Sequence, residues 1–250
     1  MIDGIDRSQK KINITDRLII SMDVGTKHEL ISLCHKINNN VSTLKLGLQL
    51  IYSCGIEIVS IVKSFGYRVM LDAKLYDIPN TVSRAAAAIT RIGVDKITIH
   101  TSGGLQMLKD ARDSIRSQAK KMKIIPPLLF GVTILTSLDN EDLDRIGYNK
   151  NYMDSVLGLA SLADKSKIDG LICSPKEVVK IRKMLGNNLL VATPGVRLKD
   201  DDSDDQKRVG TPYDAIKNGA DFVIVGRSVT AKENISKNIK KIIDDIKRAL

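Results

Sequence analysis

The sequence predicts an α/β protein built as a (β/α)8 barrel in a single domain. Three observations predict it. Eight short apolar runs recur along 250 residues, at intervals of about 25–30 residues, the repeat of one β–α unit. The runs are rich in Val, Ile and Leu and mostly continuous, as in parallel strands covered on both faces. Amphipathic helical patterns lie between most of them, and no Pro-, Gly- or Ser-rich stretch divides the chain. An open doubly wound sheet is the other architecture compatible with this alternation.

The strands are predicted over 18–24, 43–47, 68–74, 96–101, 128–135, 170–173, 189–193 and 221–226, after an N-terminal extension over 1–16. The helix after strand one carries His28 and His35, both read as surface. Pro79 opens the helix after strand three, where its missing N–H breaks no helical bond, and Ala85 to Ala88 continue it. A helix over 103–122 aligns Leu105, Leu108, Ala111, Ile115 and Ala119 on one stripe, and 152–163 and 176–185 follow the same logic. The last helix sets Ile235, Ile239, Ile242, Ile243, Ile246 and Leu250 on one face, with Lys237, Lys240, Lys241 and Lys247 mainly on the other.

Composition narrows the function. Apolar residues make up 43% and charged residues 27%, a globular balance. No apolar run approaches the roughly 18 residues that would span a membrane. The polar N-terminus lacks the apolar region of a secretory signal, so a cytoplasmic protein is expected. The net charge of +10 suits an anionic partner. Aromatic residues are only 4%, and the lysines are dispersed, which argues against a nucleic-acid surface. Cys34, Cys54 and Cys173 show no metal or disulfide spacing and read as reduced thiols.

A barrel of this kind places its chemistry where strands end. The polar residues obey that rule, except Lys45, which is mid-strand. Strand one ends near Asp23, strand two contains Lys45, and strand three runs into Asp72, Lys74 and Asp77. His100 closes strand four, where it reads equally as site lining or as a satisfied core histidine. Thr136 follows strand five, Arg197 follows strand seven, and Gly226-Arg227 follows strand eight. Asp72 and Lys74 are two residues apart, so a regular strand turns both to the barrel interior. Buried charges are costly unless paired and used. A carboxylate between the ammonium groups of Lys45 and Lys74 stays ionised and leaves Lys74 able to donate a proton. Gly226-Arg227 suits a phosphate, since the glycine lets an anion approach the backbone and the guanidinium grips it. The polar 197–208 segment taken alone reads as a solvated loop, and on a barrel it also reads as a lid that orders over ligand.

The stretch DAKLYDIPNT (72–81) resembles the signature of the orotidine 5′-phosphate decarboxylase family, Asp-x-Lys-x-x-Asp followed by Ile-Pro-x-Thr. SMDV (21–24), LKLG (44–47), IHTSGG (99–104), ILTS (134–137), TPGVR (193–197), DQKR (205–208) and IVGRSVT (224–230) fall in the family's order and spacing, and the likeness covers roughly 17–245. The spacing of Arg197, Gln206 and Arg227 is similar to the bacterial branch. Glu233-Asn234 and Thr101-Ser102 depart from the family's usual residues without touching the motif positions.

The resemblance implies cofactor-free decarboxylation of orotidine 5′-monophosphate to UMP and CO2, the last step of de novo UMP synthesis. It implies that Asp23 and Lys45 bind the ribose hydroxyls, that Asp72 sits beside the departing carboxylate, and that Lys74 protonates C6. Thr136 would contact the pyrimidine, while Arg197, Gln206, Gly226 and Arg227 would hold the phosphate end, with Gln206 bridging to the base. Asp77, Ile78 and Thr81 would reach a neighbouring subunit's site in a homodimer. No metal, organic cofactor, nucleic acid or membrane is implied. Two alternatives stand beside this reading. Sugar-phosphate enzymes of the same superfamily share Asp-x-Lys-x-x-Asp but use Mg2+, with an acid where this chain has Lys45. A non-catalytic basic binding module would leave the interior charges idle.

Overall fold

The computed structural model describes residues 12–149, 151–198 and 209–250. Eight parallel strands close into a barrel in chain order: β1 (Leu18–Ser21), β2 (Thr43–Leu46), β3 (Arg68–Leu75), β4 (Lys96–His100), β5 (Leu128–Val132), β6 (Gly170–Ile172), β7 (Leu190–Thr193) and β8 (Phe222–Val225). The closing pair is β1 with β8, in the register Ile19 to Ile224. The open doubly wound alternative is thereby set aside. Each strand proves shorter than its apolar run except β3, which runs one residue further than expected. Strand pairing stops where the chain turns outward, although the apolar composition continues.

The helices are α1 (Lys27–Ile37), α2 (Leu48–Cys54), α3 (Ile58–Ser64), α4 (Pro79–Ile92), α5 (Gly104–Met122), α6 (Asn140–Arg145), α7 (Tyr152–Ser166), α8 (Val178–Leu185), α9 (Pro212–Lys217), α10 (Arg227–Thr230) and α11 (Ile235–Ala249). Local chemistry sets their starts. Thr26 accepts the Glu29 N–H while Glu29 accepts the Thr26 N–H, a reciprocal cap on α1. Pro79 occupies the first turn of α4, as expected. In α5, Leu108, Ala111, Ile115 and Ala119 are buried as the stripe predicts, but Met107 is buried too, while Leu105 is only half-buried. Helix α11 buries Ile235, Ile239, Ile242 and Ile246 and exposes its four lysines; Leu250 lies past its end, exposed.

Strand alternation produces two apolar layers. Leu18, Ile20, Leu44, Val69, Ile97, Leu129 and Val191 face the helices. Ile19, Met70, Phe130, Ala192, Phe222 and Ile224 fill the barrel interior, with Ile12 packed against them. Part of the N-terminal extension thus belongs to the barrel: Ile14–Asp16 forms a 3-10 turn, and Asp16 pairs with Arg68 at the start of β3. Gly170 is required by this packing, since a Cβ there would stand 2.5 Å from the Phe130 ring and 2.7 Å from the Leu190 carbonyl oxygen.

The strand starts are laced by one repeated device. Asp95, Asp169 and Asp221 each stand directly before an even-numbered strand, and each carboxylate accepts the N–H of a residue in the preceding strand: Val69 at 2.8 Å, Leu129 at 2.9 Å and Val191 at 2.8 Å. Asp221 also pairs with Arg182 of α8 at 2.6 Å. These bonds satisfy edge donors that would otherwise be lost at the barrel floor, and they hold the staves rigid beneath the opposite, C-terminal mouth.

Candidate active site

The mouth holds a cavity lined by strand ends from around the barrel, among them Asp23, Lys45, Asp72, Lys74, Thr136, Arg197, Gly226 and Arg227. Eight of the sequence-predicted site residues thus converge on one space. Gln206 lies outside the described residues, as does most of the expected lid. The segment's flanks are held together: Arg197 N–H donates to Gly210 O at 3.0 Å, and Gly210 N–H to Gly195 O at 3.0 Å.

Asp72 is the centre of the charge array. Its residue is 8% exposed. One carboxylate oxygen, Oδ2, accepts Lys45 Nζ at 3.0 Å and Lys74 Nζ at 2.8 Å. The other, Oδ1, accepts the Thr98 hydroxyl at 2.8 Å. Burial alone raises a carboxyl's pKa; here the charges of Lys45 and Lys74, with their hydrogen bonds, overcome it and hold Asp72 far below the usual carboxylate range. Lys45 also lies 3.9 Å from Asp23 Oδ1, which accepts the Ser21 hydroxyl at 2.7 Å. Asp23 sits two residues beyond the end of β1, half-exposed at the cavity rim. A Cβ at position 226 would stand 2.9 Å from Asp23 Oδ2, so glycine there lets the exit of β8 close against Asp23.

Asp72 and Lys74 meet by a route that regular strand geometry does not provide. Lys74 has φ +46°, and the described residues with positive φ outside glycine are otherwise at helix ends. The β3–β4 register jumps there: Leu71 pairs with Ile97 and Leu75 with Ile99, so four steps on one strand match two on the other. The chain bulges between Leu71 and Leu75. The expected proximity is present, but a strained bulge creates it in place of simple alternation.

His100 is half-buried, with its ring tilted 5.6 Å from Tyr76. Burial lowers its pKa, the Lys74 charge adds to that effect, and Asp72 opposes it. It does not line the cavity. His28 and His35 are exposed on α1, as expected. Asp77, Ile78 and Thr81 are exposed and line no part of this chain's own cavity, and Tyr76 beside them is 62% exposed.

The residues that sequence reasoning missed are Ser21 and Thr98. The signal for Thr98 was present. Lys96, Thr98 and His100 alternate with Ile97 and Ile99, giving one polar face to a strand otherwise read as continuously apolar.

Charge concentrated this way, on a strained backbone at the C-terminal mouth, defines the protein as a (β/α)8-barrel enzyme rather than an inert scaffold. Among the described residues, no three His, Cys, Asp or Glu side chains group in a way that could hold a metal ion. The chain belongs to the orotidine 5′-phosphate decarboxylase / HUMPS family, whose model matches residues 16–242. An orotidine 5′-phosphate decarboxylase from Coxiella burnetii is 38% identical over 231 residues, covering 92% of this chain and 97% of the relative. The one from Wigglesworthia glossinidia brevipalpis is 34% identical over 229 residues, again with 92% and 97% covered. The crystal structure of orotidine 5′-phosphate decarboxylase from Lactobacillus acidophilus superposes with a TM-score of 0.82 at 31% identity, covering 92% of this chain and 99% of that one.

Proposed function

We propose that the chain converts orotidine 5′-monophosphate to UMP and CO2, the last step of de novo UMP synthesis, as a cytoplasmic enzyme. The observation that carries this reading is the buried Asp72 carboxylate clamped by Lys45 and Lys74 at 3.0 and 2.8 Å. Cleaving the bond from C6 to the carboxylate carbon releases CO2 and leaves an electron pair in an sp2 orbital at C6. The pyrimidine ring delocalises that pair poorly. The Lys74 ammonium stabilises the developing charge and then transfers its proton to C6, and solvent restores the ammonium. Asp72 stays anionic and faces the departing carboxylate, so it favours loss of that charge as neutral CO2. The Lys74 proton is the larger contribution in this reading. The reaction as written needs no metal or organic cofactor, because the charge beside Asp72 comes from ammonium groups.

Asp23 and Lys45 bind the ribose hydroxyls, and Thr136 contacts the pyrimidine. Arg227 and the Gly226 backbone grip the phosphate, with Arg197 at the same end and Gln206 bridging phosphate to base. Binding energy from the phosphate, remote from C6, is available to the chemical step. Asp77, Ile78 and Thr81 complete the site of a second copy in a homodimer. Their exposure outside this chain's cavity, beside the exposed Tyr76, supports that assignment.

The test is the ultraviolet absorbance of orotidine 5′-monophosphate mixed with purified protein in excess EDTA. Conversion to UMP is expected. No conversion, with activity appearing on a sugar phosphate when Mg2+ is added, would instead assign the other chemistry of the superfamily. A monomer by sedimentation that turns over at the full rate would overturn the shared site.

A further inference from the structure

We infer that Thr98 is a positioning residue that sets both the orientation of the Asp72 carboxylate and the strained backbone of Lys74. The inference rests on the decarboxylase reading above and extends it to a side chain outside the signature motif.

Thr98 lies in the middle of β4, is 1% exposed, and faces the barrel interior at the cavity floor. Its hydroxyl stands between the two halves of the bulge. The Lys74 backbone N–H donates to Thr98 Oγ1 at 2.9 Å, and Thr98 Oγ1 donates to Asp72 Oδ1 at 2.8 Å. The direction of the chain is fixed by chemistry. An amide N–H can only donate and an ionised carboxylate can only accept, so the group between them must do both. A hydroxyl does so in the volume of one methyl group.

Two consequences follow for the reacting groups. The bond to Oδ1 ties that oxygen to the wall and turns Oδ2 to the cavity, where both ammonium groups meet it. The bond from Lys74 N–H replaces a ladder partner that the bulge takes away, because no regular β3–β4 pair is made between Leu71 and Leu75. A left-handed conformation at a non-glycine residue persists only where its surroundings over-determine it. Thr98 is one such restraint, placed on the residue whose ammonium must meet C6. Thr98 touches no reacting atom; it acts through Asp72 and Lys74. A displacement of about 1 Å in such a group can cost about 100-fold in rate.

The experiment compares T98V, T98A and T98S with the unaltered chain, measuring kcat for orotidine 5′-monophosphate, the dissociation constant of UMP, and Tm. T98V keeps the shape and loses the hydroxyl. Its kcat should fall about 10- to 100-fold, the range for losing a hydrogen bond to a charged group. UMP affinity should stay within about threefold, because the ribose and phosphate contacts lie elsewhere, and T98S should recover kcat to within about threefold. T98A carries the same expectation should T98V fail to fold. The inference is overturned if a folded hydroxyl-free variant keeps kcat within threefold, if UMP affinity falls as far as kcat, or if T98S fails to rescue. An unaltered chain that does not decarboxylate the substrate would refute the functional reading itself, and this inference with it.

Discussion

Replacing Asp72 with Asn removes one charge from the centre of the site while keeping its shape. The amide oxygen still accepts from the Thr98 hydroxyl. What is lost is the common counter-ion of Lys45 and Lys74, at 3.0 and 2.8 Å. At an effective dielectric near 20, a single contact of about 3 Å corresponds to roughly 5 kcal/mol of gross Coulomb attraction. Desolvation offsets much of that, and removing one member of a buried ionic group typically costs about 3–5 kcal/mol net. The second lysine adds to the cost, whereas residual solvent at Lys74 and the nearby Asp23 reduce it. A loss of about 3–5 kcal/mol in unfolding free energy at pH 7.5 is therefore expected, read by urea denaturation. The pH dependence supplies an independent check. The folded pKa of Asp72 is depressed, so its stabilisation is fully present above the unfolded value of about 3.9 and is lost as pH falls through the lower folded value. The gap between the two proteins should be constant from pH 7.5 down to about 5 and narrow below about 4. A loss under about 1 kcal/mol at pH 7.5, or a gap that widens in acid, would refute the idea that this carboxylate neutralises the lysines.

Three further outcomes are expected. Lys74→Ala should abolish turnover while UMP still binds; substantial remaining activity would remove Lys74 as the proton donor. Arg227→Ala should lower kcat/KM by about 2–4 kcal/mol of transition-state stabilisation, and a loss below about 1 kcal/mol would refute the phosphate grip. Lys96, 5% exposed, has its pKa pushed down from 10.5 to about 8 by burial, with the Arg68 charge adding and Asp95 and Asp16 opposing. The unfolded chain then binds more protons between about pH 8 and 10.5, so stability should rise with pH across that window. Lys96→Met should flatten the rise and stabilise the protein by about 2 kcal/mol near neutrality; an unchanged slope in thermal unfolding against pH would contradict it.

The fold was legible because it rests on repetition. Eight apolar runs separated by helical stretches leave few alternatives, and the structure closes them in sequence order. The site was legible to the extent that barrel geometry forces strand ends together. Knowing only that Asp23, Thr136, Gly226 and Arg227 follow or end strands suffices to bring them to one mouth, whereas Lys45 and Asp72 lie within β2 and β3 and reach it as inward-facing residues. Local irregularity was not legible in the same way. The β3 bulge depends on a register jump against β4, and nothing in the periodicity of 68–75 announces it. Hence residue spacing accounts for the pairing of Asp72 with Lys74 only in part, and it does not reveal the Thr98 hydroxyl that supports the bulge. Helices α2 and α3 lie between adjacent strands and are seven residues each, too short for periodicity to declare.

Strand β4 shows what such a site demands of the surrounding barrel. Its inward residues run from Lys96 at the floor through Thr98 to His100 near the rim. Lys96 and Thr98 bring polar groups into an interior otherwise filled by Ile19, Met70, Phe130, Phe222 and Ile224. Lys96 meets that requirement with the Thr43 hydroxyl at 3.4 Å and the face of Phe222 at 5.5 Å. No carboxylate comes within bonding distance of its ammonium among the described contacts, so its burial opposes folding at neutral pH. Thr98 is fully satisfied and transmits order to the reacting groups. The two residues share one face of one strand and differ in what their partners do: Lys96 costs stability in the apolar layer below the site, while Thr98 converts that layer's rigidity into the orientation of Asp72 and Lys74. A rigid floor and a strained mouth are thus joined through a single stave, and the catalytic geometry should be more sensitive to changes along β4 than its position behind the signature strand β3 would suggest.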